Sequence, residues 1–92
     1  MGWRAVTESG RVYETVSGGV KVSGEGYFHN ADVKVVNRED LYGMESRGIW
    51  EHLHNLPRAD LPEVGKSLYI DTYGDAGWRI STDIVSVEIT GD

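Results

Sequence analysis

Short apolar runs alternate along the chain with glycine-rich breaks. Trp3 to Thr7 reads as a first strand, broken at Ser9-Gly10. From Arg11 to Val16, Val12, Glu14 and Val16 share one face while Tyr13 and Thr15 share the other, the period-two pattern of a strand. Ser17-Gly18-Gly19 offers the positive-φ positions of a tight reversal, and Val20-Lys21-Val22 begins the return. Residues 11–22 therefore predict a hairpin. After Ser23-Gly24-Glu25-Gly26 the strand pattern resumes from Tyr27 to Val36, with Val33 and Val35 flanking Lys34.

At Asn37 the pattern changes. Asn37 suits a helix cap, and Glu39 and Asp40 follow in the first turn, where the helix dipole favours negative charge. Ile49, Trp50, Leu53 and Leu56 recur at helical spacing until Pro57, which disfavours helix before it. This predicts a helical turn or short helix over 38–45 and a second helix over 47–56. Residues 57–66, with two prolines, form a connector. Leu68, Ile70 and Thr72 then alternate with Tyr69, Asp71 and Tyr73, and residues 74–77 predict a hairpin loop. In the return run, Ile80 and Val85 are an odd number of positions apart, so one straight strand cannot hold both on one face. A bulge or sharp bend near Ser81-Thr82-Asp83 is required.

Composition sharpens this. Eleven Val and five Ile against five Leu favour sheet, because β-branched side chains suit a pleated surface, and twelve glycines supply turns. The expected fold is mainly β: a small barrel or sandwich of about five to six antiparallel strands with one or two short helices around residues 38–56. Ninety-two residues suffice for a single domain, 1–92. The absence of cysteine removes disulfides, thiolate metal sites and thiol nucleophiles. A net charge of −6 argues against direct binding to nucleic acid or an anionic membrane. No apolar run approaches the ~20 residues of a membrane span, and the first residues lack a signal pattern, so a cytoplasmic location is expected.

Several chemical motifs fail on inspection. Gly65-Lys66-Ser67 resembles the end of a P-loop, but Asp60 stands where that loop needs glycine and the following residues read as strand. Met1-Gly2 suggests myristoylation, but Val6 replaces the required hydroxyl residue. His52 and His54, with His29 as a third ligand, would chelate a metal from a strand; on a helix, residues two apart diverge by roughly 200°. They equally suit surface positions flanking a buried Leu53. A hydrolase built on His29 with Ser23 or Ser81 has no selective spacing behind it. We therefore expect no enzyme, cofactor or metal.

The richest stretch is the 69–82 hairpin. Tyr69, Tyr73, Trp78, Arg79, Ser81 and Thr82 combine aromatic faces with an arginine fork and hydroxyls, a set suited to a nucleotide-like small molecule. The same residues also suit a core plug (Trp78), cross-strand fillers (Tyr69, Tyr73) and a surface partner for Asp71 (Arg79). A fold this small cannot enclose a nucleotide, so such binding calls for a pocket between subunits and hence a homo-oligomer. The alternative is a protein–protein inhibitor with an acidic face at Glu39, Asp40, Glu45 and Glu51 that imitates a nucleic-acid backbone.

The run Pro62-Glu63-Val64-Gly65-Lys66-Ser67-Leu68-Tyr69-Ile70, followed by Gly77 to Val87, resembles the closing hairpin of small phage-encoded SH3-like β-barrel proteins. The resemblance covers about the last third of the chain. It implies an anti-defence factor acting in the host cytoplasm. Such a factor is either a sponge for a nucleotide immune signal or an inhibitor of a host defence nuclease or CRISPR effector.

Overall fold

A computed structural model describes residues 2–58, 61–72 and 77–90. Its strands are β1 (Trp3–Thr7), β2 (Val12–Val16), β3 (Gly19–Val22), β4 (Gly26–His29), β5 (Asp32–Val36), β6 (Ser67–Asp71), β7 (Trp78–Ile80) and β8 (Ile84–Ile89). A 3₁₀ turn spans Arg38–Leu41, and the helix α1 spans Ser46–His54. The strands form two antiparallel sheets, ordered β4-β3-β2-β1-β8 and β5-β6-β7. The fold is mainly β as expected, in its sandwich form, since the sheets do not close into a barrel.

Eight strands among the described residues replace the expected five to six, because two predicted runs break. Asn30 takes a left-handed conformation (φ 51°), and the Tyr27–Val36 run splits there into β4 and β5, in different sheets. Asparagine is one of the few non-glycine residues that tolerates this geometry. The final run splits at Ser81–Asp83, where the odd spacing required a bend. Ser81 holds that bend: its hydroxyl accepts from Leu68 N (2.9 Å) and donates to the Thr82 carbonyl (2.7 Å).

Packing produces three layers. Trp3, Ala5, Tyr13, Val20 and Val22 of the five-stranded sheet meet Leu68 and Ile70 of the three-stranded sheet, with Ile84 beside them. On the far side of the smaller sheet, α1 lays Leu53 and Ile49 on Val36 and Tyr69. The smaller sheet is therefore covered on both faces, and Leu68, Tyr69 and Ile70 are all buried. Lys34 pins the helix, its Nζ donating to the carbonyls of Leu53 (3.1 Å) and His54 (2.9 Å) at the negative end of the α1 dipole. The five-stranded sheet's other face is solvated, with Lys21, Glu14, Arg4 and Glu88 alternating in sign across neighbouring strands. Among the described residues no helix is long and apolar enough to cross a membrane.

Burial between the sheets pushes the Tyr13 phenol above its ordinary value of 10.0, against the opposing pull of Arg11 and Arg79. The folded chain thus holds this proton more tightly than the unfolded chain does. Its contribution to stability is complete below pH 10.0 and is lost as pH rises through the folded value. Urea midpoints followed into alkali should fall less steeply for Tyr13→Phe than for the parent; equal slopes would contradict this assignment.

Candidate functional site

Between β5 and the connector, residues 37–54 build a surface of distinct chemistry. Asn37 accepts a hydrogen bond from Glu39 N (3.2 Å) and starts the 3₁₀ turn as a capping residue. Glu39 and Asp40 sit in that first turn, exposed. Gly43 reverses the chain at φ 81°, a geometry that favours glycine, and delivers Met44 and Glu45 to the start of α1. Glu45 and Glu51 are exposed as well, and Glu51 bonds Arg47 one turn earlier (3.3 Å). All four acids of the predicted acidic face therefore lie on the surface of one segment.

The structure adds three apolar side chains that the sequence pattern did not single out as exposed: Tyr42, Met44 and Trp50. Trp50 fell within the apolar spacing of the helix, yet it stands 49% exposed. Helical angle supplies the missing signal. At about 100° per residue, Ile49 and Leu53 point within about 40° of each other, whereas Trp50 lies about 100° round from Ile49 and about 60° beyond Leu53. Its ring leaves the buried stripe and stacks on His54, centroids 4.8 Å apart and planes 10° apart. His52 turns to another side of the helix, as helical spacing requires, while His29 belongs to β4 and meets Tyr27 edge-on at 4.5 Å. Among the described residues no three His, Cys, Asp or Glu side chains group as metal ligands.

The five described residues of the predicted nucleotide set, Tyr69, Trp78, Arg79, Ser81 and Thr82, do not form one open surface. Tyr69 does face away from Leu68 and Ile70, but α1 covers that face and leaves it 1% exposed. Ser81 is buried, with its hydroxyl committed to the bend. Arg79 is engaged too: with Arg11 it ion-pairs to Glu25 in the β3–β4 turn, and its guanidinium lies 4.6 Å from the Phe28 ring centre. It thereby clamps the two sheets together, and its partner is Glu25 rather than Asp71. Thr82 accepts a hydrogen bond from Ser9 N (3.2 Å). Among the described residues of the set, Trp78 keeps the largest surface, 46% exposed, touching Tyr69 edge-on rather than plugging the core. Tyr73 lies outside the described residues, as do residues 74–76 of the predicted loop.

No family model, no curated protein and no solved structure matches this chain.

Proposed function

We propose that this chain is a non-enzymatic binding protein that docks on a basic protein surface through residues 39–54. The observation that carries this reading is the half-exposed Trp50, set on a helix between exposed carboxylates at Glu45 and Glu51. Tryptophan, tyrosine and methionine are favoured at the centres of interfaces, and a charged rim steers the approach of an opposite charge. The helix presenting them is anchored by Leu53, Ile49 and the Lys34 bonds, so little ordering is needed on binding. The resemblance of the closing hairpin suggests the partner class: a nuclease or RNA-guided effector of host defence, approached at its nucleic-acid groove. Capture of a nucleotide by the 69–82 hairpin loses support, because Tyr69 and Ser81 are sealed and Arg79 is occupied.

The test is inhibition of nucleic-acid cleavage across a panel of defence nucleases and RNA-guided effectors. Trp50→Ala should cost about 2 kcal/mol of binding, roughly thirtyfold, with the fold intact. Reversing Glu39, Asp40 and Glu45 to lysine should remove the salt dependence of association. Inhibition that survives both changes undiminished would dismiss the helical face, and a panel without any inhibited enzyme would dismiss this partner class.

A further inference from the structure

The outward face of the five-stranded sheet carries a pattern of its own, on the side away from the core and from α1. Residues paired directly across neighbouring strands lie on one face. Glu88 on β8 is paired with Arg4 on β1, Arg4 with Glu14 on β2, and Glu14 with Lys21 on β3. This row reads acid, base, acid, base. Alongside it, Ser86 is paired with Val6 and Val6 with Val12. Val12 then meets Ser23, whose N–H donates to the Val12 carbonyl (2.9 Å) and whose hydroxyl accepts from Val12 N (2.8 Å). The second row reads serine, valine, valine, serine. Both valines stay half-buried although they lie towards the middle of the sheet. A groove of about 300 Å³ runs beside them, lined by Arg4, Val12, Glu14, Lys21 and Ser23.

Both rows share one centre, midway between β1 and β2. A half-turn about an axis parallel to the strands at that point lays a second copy on this face with each row reversed. Glu88 then faces the second copy's Lys21, and Arg4 faces its Glu14, each pair occurring again by symmetry. In the neighbouring row Val6 covers the second copy's Val12, and serine lies over serine. A half-turn about an axis along the rows instead sets each residue on its own counterpart, Glu88 on Glu88 and Lys21 on Lys21, and repulsion rejects it. The first axis also keeps the strands of the two sheets aligned, as in sheet packing where twist leaves them about 30° apart.

We propose that the chain pairs with a second copy of itself through this sheet face, the valines forming the covered centre and the charge row fixing the register. A two-fold interface requires a patch that complements itself, and an alternating row of even length does so. Within one chain such exposed pairs contribute little: Arg4 and Glu88 lie 3.9 Å apart with side chains 44% and 70% exposed. Between chains the same alternation discriminates one register from the others. The face is separate from the helical surface, so the pairing and the inhibition of a partner succeed or fail independently.

Sedimentation of the full chain between ~10 μM and ~1 mM tests this, at ~0.15 M salt, where the mutual repulsion of two chains at −6 is screened beyond about 8 Å. The parent should reach the mass of two copies within that range. Lys21→Glu sets acid against Glu88 at both ends of the row, and Glu88→Lys sets base against Lys21 in the same places. Each variant alone should associate at least about a hundredfold more weakly. Mixed in equal amounts, the two variants should recover a species with one copy of each, because every facing pair is again of opposite charge. Misfolding cannot produce that recovery, and both exposed substitutions should leave the melting point close to the parent's. A parent that remains single at ~1 mM overturns the proposal. So do variants that pair alone as well as the parent, or a mixture that pairs no better than its components.

Discussion

Tyr69→Ala is expected to destabilise the chain by about 3–5 kcal/mol, while Tyr69→Phe changes it by only about 1 kcal/mol. The ring of Tyr69 is the floor on which α1 rests: it packs with Val36 and Leu53, meets Trp78 edge-on at 5.9 Å, and lies beneath the Lys34 ammonium. Removing it opens a cavity under the nine-residue helix α1, beside Val36 and Leu53. The phenol hydroxyl, which donates to Asp71 Oδ2 at 3.4 Å, contributes less than the buried ring, as a single hydrogen bond does. At roughly 4–8 °C per kcal/mol for a domain this small, the alanine variant should melt about 15 °C or more below the parent. The pair of variants also separates two roles for this residue. A ligand platform would lose binding on alanine substitution with the melting point nearly unchanged, whereas a structural floor loses the fold itself. The helical face would fall with it, so inhibition by Tyr69→Ala should fail through loss of α1, visible as lost helical signal.

Most of the strand pattern was legible because one face of each strand meets water. In β1 to β3 the inward residues Trp3, Ala5, Tyr13, Val20 and Val22 alternate cleanly with outward Arg4, Glu14 and Lys21. The smaller sheet obeys a different rule, because it is covered on both sides. In β5 the valine alternation marks Val33 and Val35 for the inter-sheet core, which is correct. The same alternation assigns Asp32 and Lys34 to solvent, and both are buried. A lysine stays buried here because its long stem lies over an aromatic ring while its ammonium reaches two helix-end carbonyls, a solution that depends on where α1 docks. Nothing within the strand announces it. Asn30 is similar: the run from Tyr27 to Val36 carries a strand pattern through it, and only the backbone turn at φ 51° sends the second half to the other sheet. The acidic half of the candidate site was legible because charge follows directly from residue type. Its aromatic half was not, since spacing alone groups Trp50 with Ile49 and Leu53 and only the docked helix shows which of them is left outside.

Gly19→Ala and Gly48→Ala should shift stability in opposite directions, and the contrast tests how β4 is held. At Gly19, the first residue of β3, an added methyl would meet the Phe28 carbonyl oxygen at 2.1 Å, its carbon at 3.0 Å and the His29 Cα at 3.2 Å. All three are backbone atoms of the neighbouring strand, so no side chain can swing aside. Relief requires β4 to move away from β3, which breaks the pairing of Gly19 with His29 and of Val20 with Phe28. It also lifts Phe28 from beneath the Arg79 guanidinium and displaces the turn that carries Glu25, so the clamp between the two sheets loosens together with the edge strand. A loss of about 3 kcal/mol is expected, at the upper end of single substitutions. At Gly48, inside α1, the nearest atom to an added methyl is the Met44 Cβ at 3.9 Å, an ordinary contact. Alanine there should stabilise the chain by up to about 1 kcal/mol through helix propensity. Urea denaturation of the two variants beside the parent measures both. A Gly19→Ala variant as stable as the parent would mean that β4 sits farther from β3 than this structure places it.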